Sequence, residues 1–490
     1  MSELLDLDGT GQADLVRRGE ISAAELAQAS IDAIERLNPQ LDILLHRSYD
    51  LALEAAKDVD LNAPFAGVPI LLKDIEIQAK GMPFSHGTMP FLRKNPVICD
   101  HDSNLAADFR KAGMLLLGRS NCSLQAFFGT HDVDAHVMPK NPWNTDYSTA
   151  GSSSGSAAAV AARVVAIGHG GDGGGSIRLP ASINGVVGMK PTRGRVSVGP
   201  HRTEVFSFGS AWSHEFAMTR SVRDSATLLK AVDGWRPGDS FDVGVGGKPV
   251  RSGPLRIGLS TETFSEFTDV DPEMVSAAEQ AAKLLESLGH EVELVTDAPK
   301  YEFAGVEWDY GQPGSPHFAG VARIIDKMAK HIGREVTPED VGPQMWAGVE
   351  LGRSYNARQM LEFYELMQNH ITTWDRWWIG KGLDVLVTPT VAVATPPITD
   401  YLPPPYGTYV VDDENPFGNG PGVAPMIAYT QIFNWTGQPA ISLPLYESAN
   451  GLPLGIHFAA SRQDDEQLLQ LAFQLEEALP WKDRRPAVCA

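Results

Sequence analysis

Cysteine is scarce. Cys99, Cys122 and Cys489 are the only three in the chain, too few and too scattered for a disulfide framework or a zinc site, and free thiols in a reducing compartment are the expectation. Positive charge is short as well. Forty Lys and Arg face 61 Asp and Glu, a formal net charge of −21. That balance argues against a nucleic-acid or anionic-membrane surface and favours solubility. No run approaches the roughly eighteen uninterrupted apolar residues of a membrane span. The opening MSELLDLDGTGQADLVRR has no basic region followed by an apolar one, the pattern of a secretory signal. Repeats and clean linkers are absent too. The expectation is a soluble, cytoplasmic protein with one domain over residues 1–490.

What is present is an alternation of helical and strand patterns. N-terminal helices are expected over about 10–60, the first capped by Ser22 with Glu25 three positions on and closed by Pro39. Phe65 to Ile75 is a short apolar run broken by Gly and Pro, the mark of a buried strand. Lys73 sits inside it, and lysine is almost never fully buried without partners. A core segment spans about 64–240, a helical segment about 300–380 carries Trp374, Trp377 and Trp378, and strands return in a C-terminal segment of about 383–480. The fold expected is α/β, a central twisted mixed sheet covered by helices on both faces. The Pro/Gly-rich stretch 396–425 reads as a pocket wall. His131, Asp132, Asp134 and His136 set two histidines at i and i+5, which is not the helical spacing of a zinc protease, so they read as a solvated loop and no metal is expected.

The chemistry concentrates between Ala150 and Thr192. Gly168, Gly170, Gly171, Gly173, Gly174 and Gly175 crowd together before Ser176, and glycine at that density predicts a sharply bent backbone whose N–H groups form an anion-binding nest. Three readings compete. Gly168 to Gly173 matches the dinucleotide pattern G-x-G-x-x-G, with Val164 to Ile167 as the preceding strand, but Pro180 interrupts the helix that should open there and Lys190-Pro191-Thr192-Arg193 lies ahead. Gly151-Ser152-Ser153-Ser154-Gly155 matches a nucleophile elbow with Ser153 as nucleophile of a Ser-His-Asp hydrolase, but no apolar strand precedes it. The third reading joins both serine turns to Lys73.

Gly67-Val68-Pro69 with Lys73-Asp74, Gly151-Ser152-Ser153-x-Gly155-Ser156, and Gly174-Gly175-Ser176-Ile177-Arg178 carry that reading. Gly185 to Thr192, Asp384 to Thr390 and Asn434 to Ala440 continue it in order. On these residues the chain resembles the amidase signature family, from about residue 64 to 457. The serines stand 24 positions apart, the family's interval. The resemblance implies Ser176 as nucleophile, Ser152 as bridge behind a cis Gly151–Ser152 peptide, and Lys73 as base. It also implies an oxyanion hole from the N–H groups of Gly173, Gly174, Gly175 and Ser176, with Ser153, Asp172 and Arg178 orienting the triad. It implies no cofactor. The chemistry agrees, since a serine hydroxyl needs an adjacent base and a desolvated lysine can be neutral.

The chain departs from the family pattern at Ser154, Gly171 and Gly173, where a glycine and two side-chain-bearing residues are usual. The extra glycines predict a more flexible oxyanion loop. Segments such as Gly194 to Ser197, Arg236 to Asp239 and Arg484 to Pro486 resemble the branch that cleaves linear and cyclic amide oligomers and urethanes. The partner implied is a small amide or carbamate, with a homodimer left open. The family also includes the glutaminase-like subunit of a tRNA-dependent amidotransferase, an alternative for which this acidic chain supplies no basic surface of its own.

Overall fold

Small residues let the backbone layers of this protein approach each other, and the sheet is built around that approach. The computed structural model describes residues 2–87, 89–123, 138–199, 212–239, 241–265, 270–301, 316–401 and 424–490. The strands are β1 Leu44–Arg47, β2 Pro69–Lys73, β3 Pro83–Phe84, β4 Val97–Ile98, β5 Leu115–Ser120, β6 Ile167–Asp172, β7 Val187–Lys190, β8 His214–Thr219, β9 Arg256–Leu259, β10 Glu291–Leu294, β11 Val385–Pro389, β12 Ala440–Glu447 and β13 Pro453–Ala460. Eleven of them form one sheet in the order β1-β5-β2-β6-β8-β7-β12-β13-β11-β9-β10, and β3 and β4 pair separately. The sheet is mixed. β5, β2 and β6 run parallel to one another, as do β11, β9 and β10, while the centre from β6 through β8, β7, β12 and β13 to β11 is antiparallel. Helices flank the sheet, as expected for an α/β chain.

Most expected elements form where the patterns place them. Ser22 caps the helix Ala23–Leu41 in a full capping box with Glu25. Pro39 does not close that helix; it lies in the last turn, which ends at Leu41 with Asp42 in the left-handed region. A proline there removes the N–H donor that would bond one turn back. Trp374 and Trp378 are buried in a second apolar cluster with Phe264, Phe433 and Trp435, the core role expected of them.

The glycine-dense segment corrects an expectation. Gly168, Gly170 and Gly171 are not part of a bend; they lie in β6, paired antiparallel with Met218, Phe216 and Glu215 of β8. Their function is space. A Cβ on Gly168 would come within 2.9 Å of the Ser156 carbonyl oxygen, and one on Gly170 within 3.0 Å of Ser153 Oγ. The fully buried helix Ser154–Ala161, SGSAAAVA, can therefore lie close against the strand. The chain turns only after the strand, over residues 173–177, and Gly175 needs its φ of +138° there. Because Gly171 is held in the ladder, it does not loosen the turn as the sequence suggested. With the glycines in a strand, the dinucleotide reading loses its strand-then-turn geometry. His131 to His136 and residues 402–423 of the suspected pocket wall lie outside the described residues. The helices described contain none long and apolar enough to cross a membrane.

Candidate active site

Two buried clusters meet at the C-terminal end of β6. The first belongs to Lys73. It ends β2, a central strand parallel to both β5 and β6, and is 1% exposed. Its Nζ donates to Ser152 Oγ at 2.7 Å and to the Gly171 carbonyl at 3.1 Å. Its backbone N–H donates to His169 Nδ1 at 3.3 Å, and Arg119 Nη1 donates to its carbonyl. Burial pushes the Lys73 ammonium below its ordinary pKa, against the opposing pull of Glu76, Cys122, Asp172 and Glu215. Burial likewise lowers His169, though Glu215, 3.7 Å from its Nε2, acts the other way.

The serines are brought to the same place by backbone. The Gly151–Ser152 peptide is cis. Ser153, the residue before the helix Ser154–Ala161, donates its N–H to the Ser176 carbonyl at 3.3 Å and its hydroxyl to the Gly171 carbonyl at 3.3 Å. The first serine turn is thus tied to the second. Ser152 and Ser153 are buried, whereas Gly173, Gly174 and Ser176 are partly exposed. The 173–176 turn therefore keeps some exposed surface where Lys73 has almost none. Two of the buried histidines near by have partners of their own, His169 with Lys73 N–H and Glu215, His457 with Arg178 and Thr388. The hydrogen bonds of Ser153 therefore lend no support to an elbow nucleophile.

The second cluster is an ion pair. Arg178 donates to both oxygens of Asp172 at 2.9 Å, and neither side chain has any exposed surface. Asp172 Oδ2 also accepts from Ile177 N at 3.2 Å, which fixes the end of the turn. Although burial pushes the Asp172 carboxyl up, Arg178, Asn434 and Lys190 outweigh it and hold the group far below the usual carboxylate range. Arg178 further donates to the Thr430 carbonyl at 3.0 Å and to Asn434 Oδ1 at 2.7 Å. His457 completes the set: burial and Arg178 push its pKa well down, so the ring is neutral and its Nε2 accepts from Arg178 at 3.0 Å.

All the residues expected from the sequence, Lys73, Ser152, Ser153, Asp172, Gly173, Gly174, Gly175, Ser176 and Arg178, thus gather at one end of β6. Reasoning from the sequence missed Asn434, whose amide donates to the Asp172 carbonyl at 2.7 Å and to Oδ1 at 2.9 Å. It also missed Thr430, which donates to the Gly174 carbonyl at 2.5 Å. Asn434 stood inside a quoted motif, but nothing in its neighbours tied it to a residue 262 positions away. Thr430 had no signal.

A buried lysine bonded to a serine, beside a glycine turn and a second serine, on a mixed α/β sheet, defines a class of amide-cleaving enzyme. The chain belongs to the amidase signature family: the family profile described as Amidase matches residues 25–469. More particularly, it is 37% identical to the 6-aminohexanoate-cyclic-dimer hydrolase of Paenarthrobacter ureafaciens, over 98% of this chain and 96% of that protein. The solved structure of a 6-aminohexanoate cyclic dimer hydrolase complexed with substrate superposes with a TM-score of 0.89 at 36% identity, covering 99% of this chain and all of that one. A bacterial aryl acylamidase follows at a TM-score of 0.79 and 25% identity, over 97% and 96% of the two chains. The chain is an amidohydrolase.

Proposed function

We propose that this enzyme cleaves the carbon–nitrogen bond of small, largely uncharged amides, including linear and cyclic amide oligomers and aryl amides, and of carbamates, through an acyl-serine intermediate. Residues 1–490 act as one unit in this reading. The observation that carries it is the 2.7 Å hydrogen bond from buried Lys73 to Ser152. Lysine is a base only when neutral, and burial favours that form. Ser152 can donate to one partner while accepting from the other, so it relays a proton between Ser176 and Lys73. Ser176 Oγ attacks the carbonyl carbon, its proton passes to Ser152, and the Ser152 proton passes to Lys73. The oxyanion is met by N–H groups of Gly173, Gly174, Gly175 and Ser176, each such donor worth about 3 kcal/mol of barrier. The proton returns through Ser152 to the leaving nitrogen, which departs as an amine. Water then attacks the acyl-serine by the same relay and releases the acid. Asp172 and Arg178 support this role by holding the second turn, and Ser153 by tying it to the first.

The substrate class is supported by the 6-aminohexanoate-cyclic-dimer hydrolase and aryl acylamidase likenesses. Ile427 also gives the turn an apolar neighbour, 3.6 Å from a Cβ placed on Gly174. A carbamate offers the same carbonyl to the same attack. The test is a panel of aryl amides, linear and cyclic aminohexanoate oligomers, aryl carbamates and glutamine, run with the purified wild type and Ser176→Ala. The expected result is turnover of amides and carbamates by the chain alone, lost in Ser176→Ala, with an acyl adduct on Ser176 detected by mass spectrometry. Activity on glutamine alone would favour the amidotransferase-subunit alternative. Full activity in Ser176→Ala would end the acyl-serine mechanism.

A further inference from the structure

Three residues beyond Lys73, Glu76 has a φ of +74°, in the left-handed region that side-chain-bearing residues seldom adopt. Its carboxylate lies over the end of β6. A Cβ placed on Gly171 would fall within contact distance of Glu76 Oε2 and 3.7 Å from Lys73 Nζ. The carboxylate and the base therefore border the same small space, and any side chain at position 171 would fill it. Gly171 is in register with Glu215 in a regular ladder, so the glycine meets a need for room rather than for a turn. Ser213 Oγ holds the other oxygen, Glu76 Oε1, at 3.3 Å.

We propose that Glu76 is a positioning residue for the base: admitted by the missing side chain at Gly171, its carboxylate stabilises the ammonium form Lys73 takes on each time it accepts the relayed proton. This rests on the Lys73–Ser152–Ser176 relay proposed above. Burial alone makes lysine neutral but also a feeble proton acceptor, whereas a carboxylate within about 4–6 Å strengthens it. The other ionisable side chains acting on Lys73 are Cys122, Asp172 and Glu215, with His169 on its N–H and Arg119 on its carbonyl. Asp172 is committed to Arg178 and Asn434, and Glu215 faces His169. Glu76 is thus the carboxylate whose place depends on Gly171, and its pull on Lys73 is the strongest of those opposing burial. The proton count closes. Lys73 goes from neutral to +1 as the substrate oxygen goes to −1, the proton then leaves with the amine, and Glu76 exchanges no proton in the cycle.

The test is the pH dependence of kcat/KM on an aryl anilide for wild type, Glu76→Gln, Gly171→Ala and the double variant. Lys73 must be neutral to act, so activity rises with pH through its pKa. Removing the carboxylate lowers that pKa and moves the acid limb to lower pH, by about one unit or more, while the plateau falls roughly tenfold because the base is weaker. Gly171→Ala displaces the same flexible carboxylate and is expected to move the limb in the same direction, with no further shift in the double variant. An unmoved limb with reduced activity, or a change confined to KM, would overturn the proposal. Lys73→Ala separates the two ideas. If it stays active, the relay reading fails; if it is inactive and the limb of Glu76→Gln does not move, this inference alone fails.

Discussion

The two clusters at the end of β6 are equally buried and carry opposite solutions to that burial. Asp172 and Arg178 meet as charges, with both carboxylate oxygens and the guanidinium forks satisfied by each other, Asn434, Thr430 and His457. Lys73 has two acceptors for its Nζ, a hydroxyl and a carbonyl, and burial moves it toward neutrality. A complete ion pair fixes geometry and resists proton exchange. A desolvated amine beside a hydroxyl invites it. The ion-pair cluster is suited to shaping the turn and the lysine cluster to moving protons, and substitutions should divide accordingly.

The largest effects fall on the proton path. Ser176→Ala and Lys73→Ala are each expected to lower kcat/KM on an amide substrate by ~10⁴-fold or more with the fold retained; near-wild-type rates in either would erase the distinction between the clusters. Next, Asp172→Asn strips the charge from the ion pair and leaves Arg178 buried without its counter-ion. A loss of about 3–5 kcal/mol in unfolding free energy is expected from urea titration, and a loss below about 1 kcal/mol would mean the pair is not holding the turn. Ser153→Ala removes a hydroxyl bonded to the Gly171 carbonyl and should cost roughly tenfold in rate at most. A loss as deep as that of Ser176→Ala would restore the elbow reading. Smallest is the effect of Lys73→Met on stability, expected to lie within about 1 kcal/mol of wild type or above it, because an apolar side chain needs no desolvation. Destabilisation matching Asp172→Asn would contradict the comparison.

The clusters also differ in pH. Asp172 has a folded pKa below its unfolded value, so its stabilisation is present above about pH 3.9 and is lost as pH falls below that point. Lys73 also has a depressed folded pKa, but as a base it destabilises the fold at low pH, and that penalty fades as pH rises toward about 10.4. Unfolding titrations of wild type against Lys73→Met should therefore converge at alkaline pH, and those of wild type against Asp172→Asn at acid pH. Parallel curves would refute both assignments.

Much of this was legible in the chain before its structure. The capping box of Ser22 and Glu25, the strand around Lys73 and the Trp374 cluster followed from local pattern, because each is settled by neighbours a few residues away. The joining of Ser152 and Ser176 to Lys73 as one proposed set came through the family resemblance. Local reasoning failed on Gly168, Gly170 and Gly171. A glycine placed for its small volume looks the same in sequence as one placed for its backbone freedom. The partners of Asp172 were hidden for a different reason: Asn434 and His457 come from the helix Gln431–Thr436 and from β13. Glu76 was passed over because its meaning depends on the absence of a side chain at 171.

Asn434 and His457 have a consequence for how the protein is made. Ribosomal synthesis delivers Lys73, Ser152 and Ser176 long before the residues that lock Asp172 and Arg178 in place. β13, which carries His457, fills the sheet between β12 and β11. A nascent chain that has emerged only as far as β11 holds every proposed catalytic group, yet its Asp172–Arg178 pair lacks the Thr430, Asn434 and His457 partners that complete it. Hydrolytic competence should therefore switch on late in synthesis, when the last two strands add to the sheet, and a chain cut before residue 434 should be inert although it contains Lys73, Ser152 and Ser176.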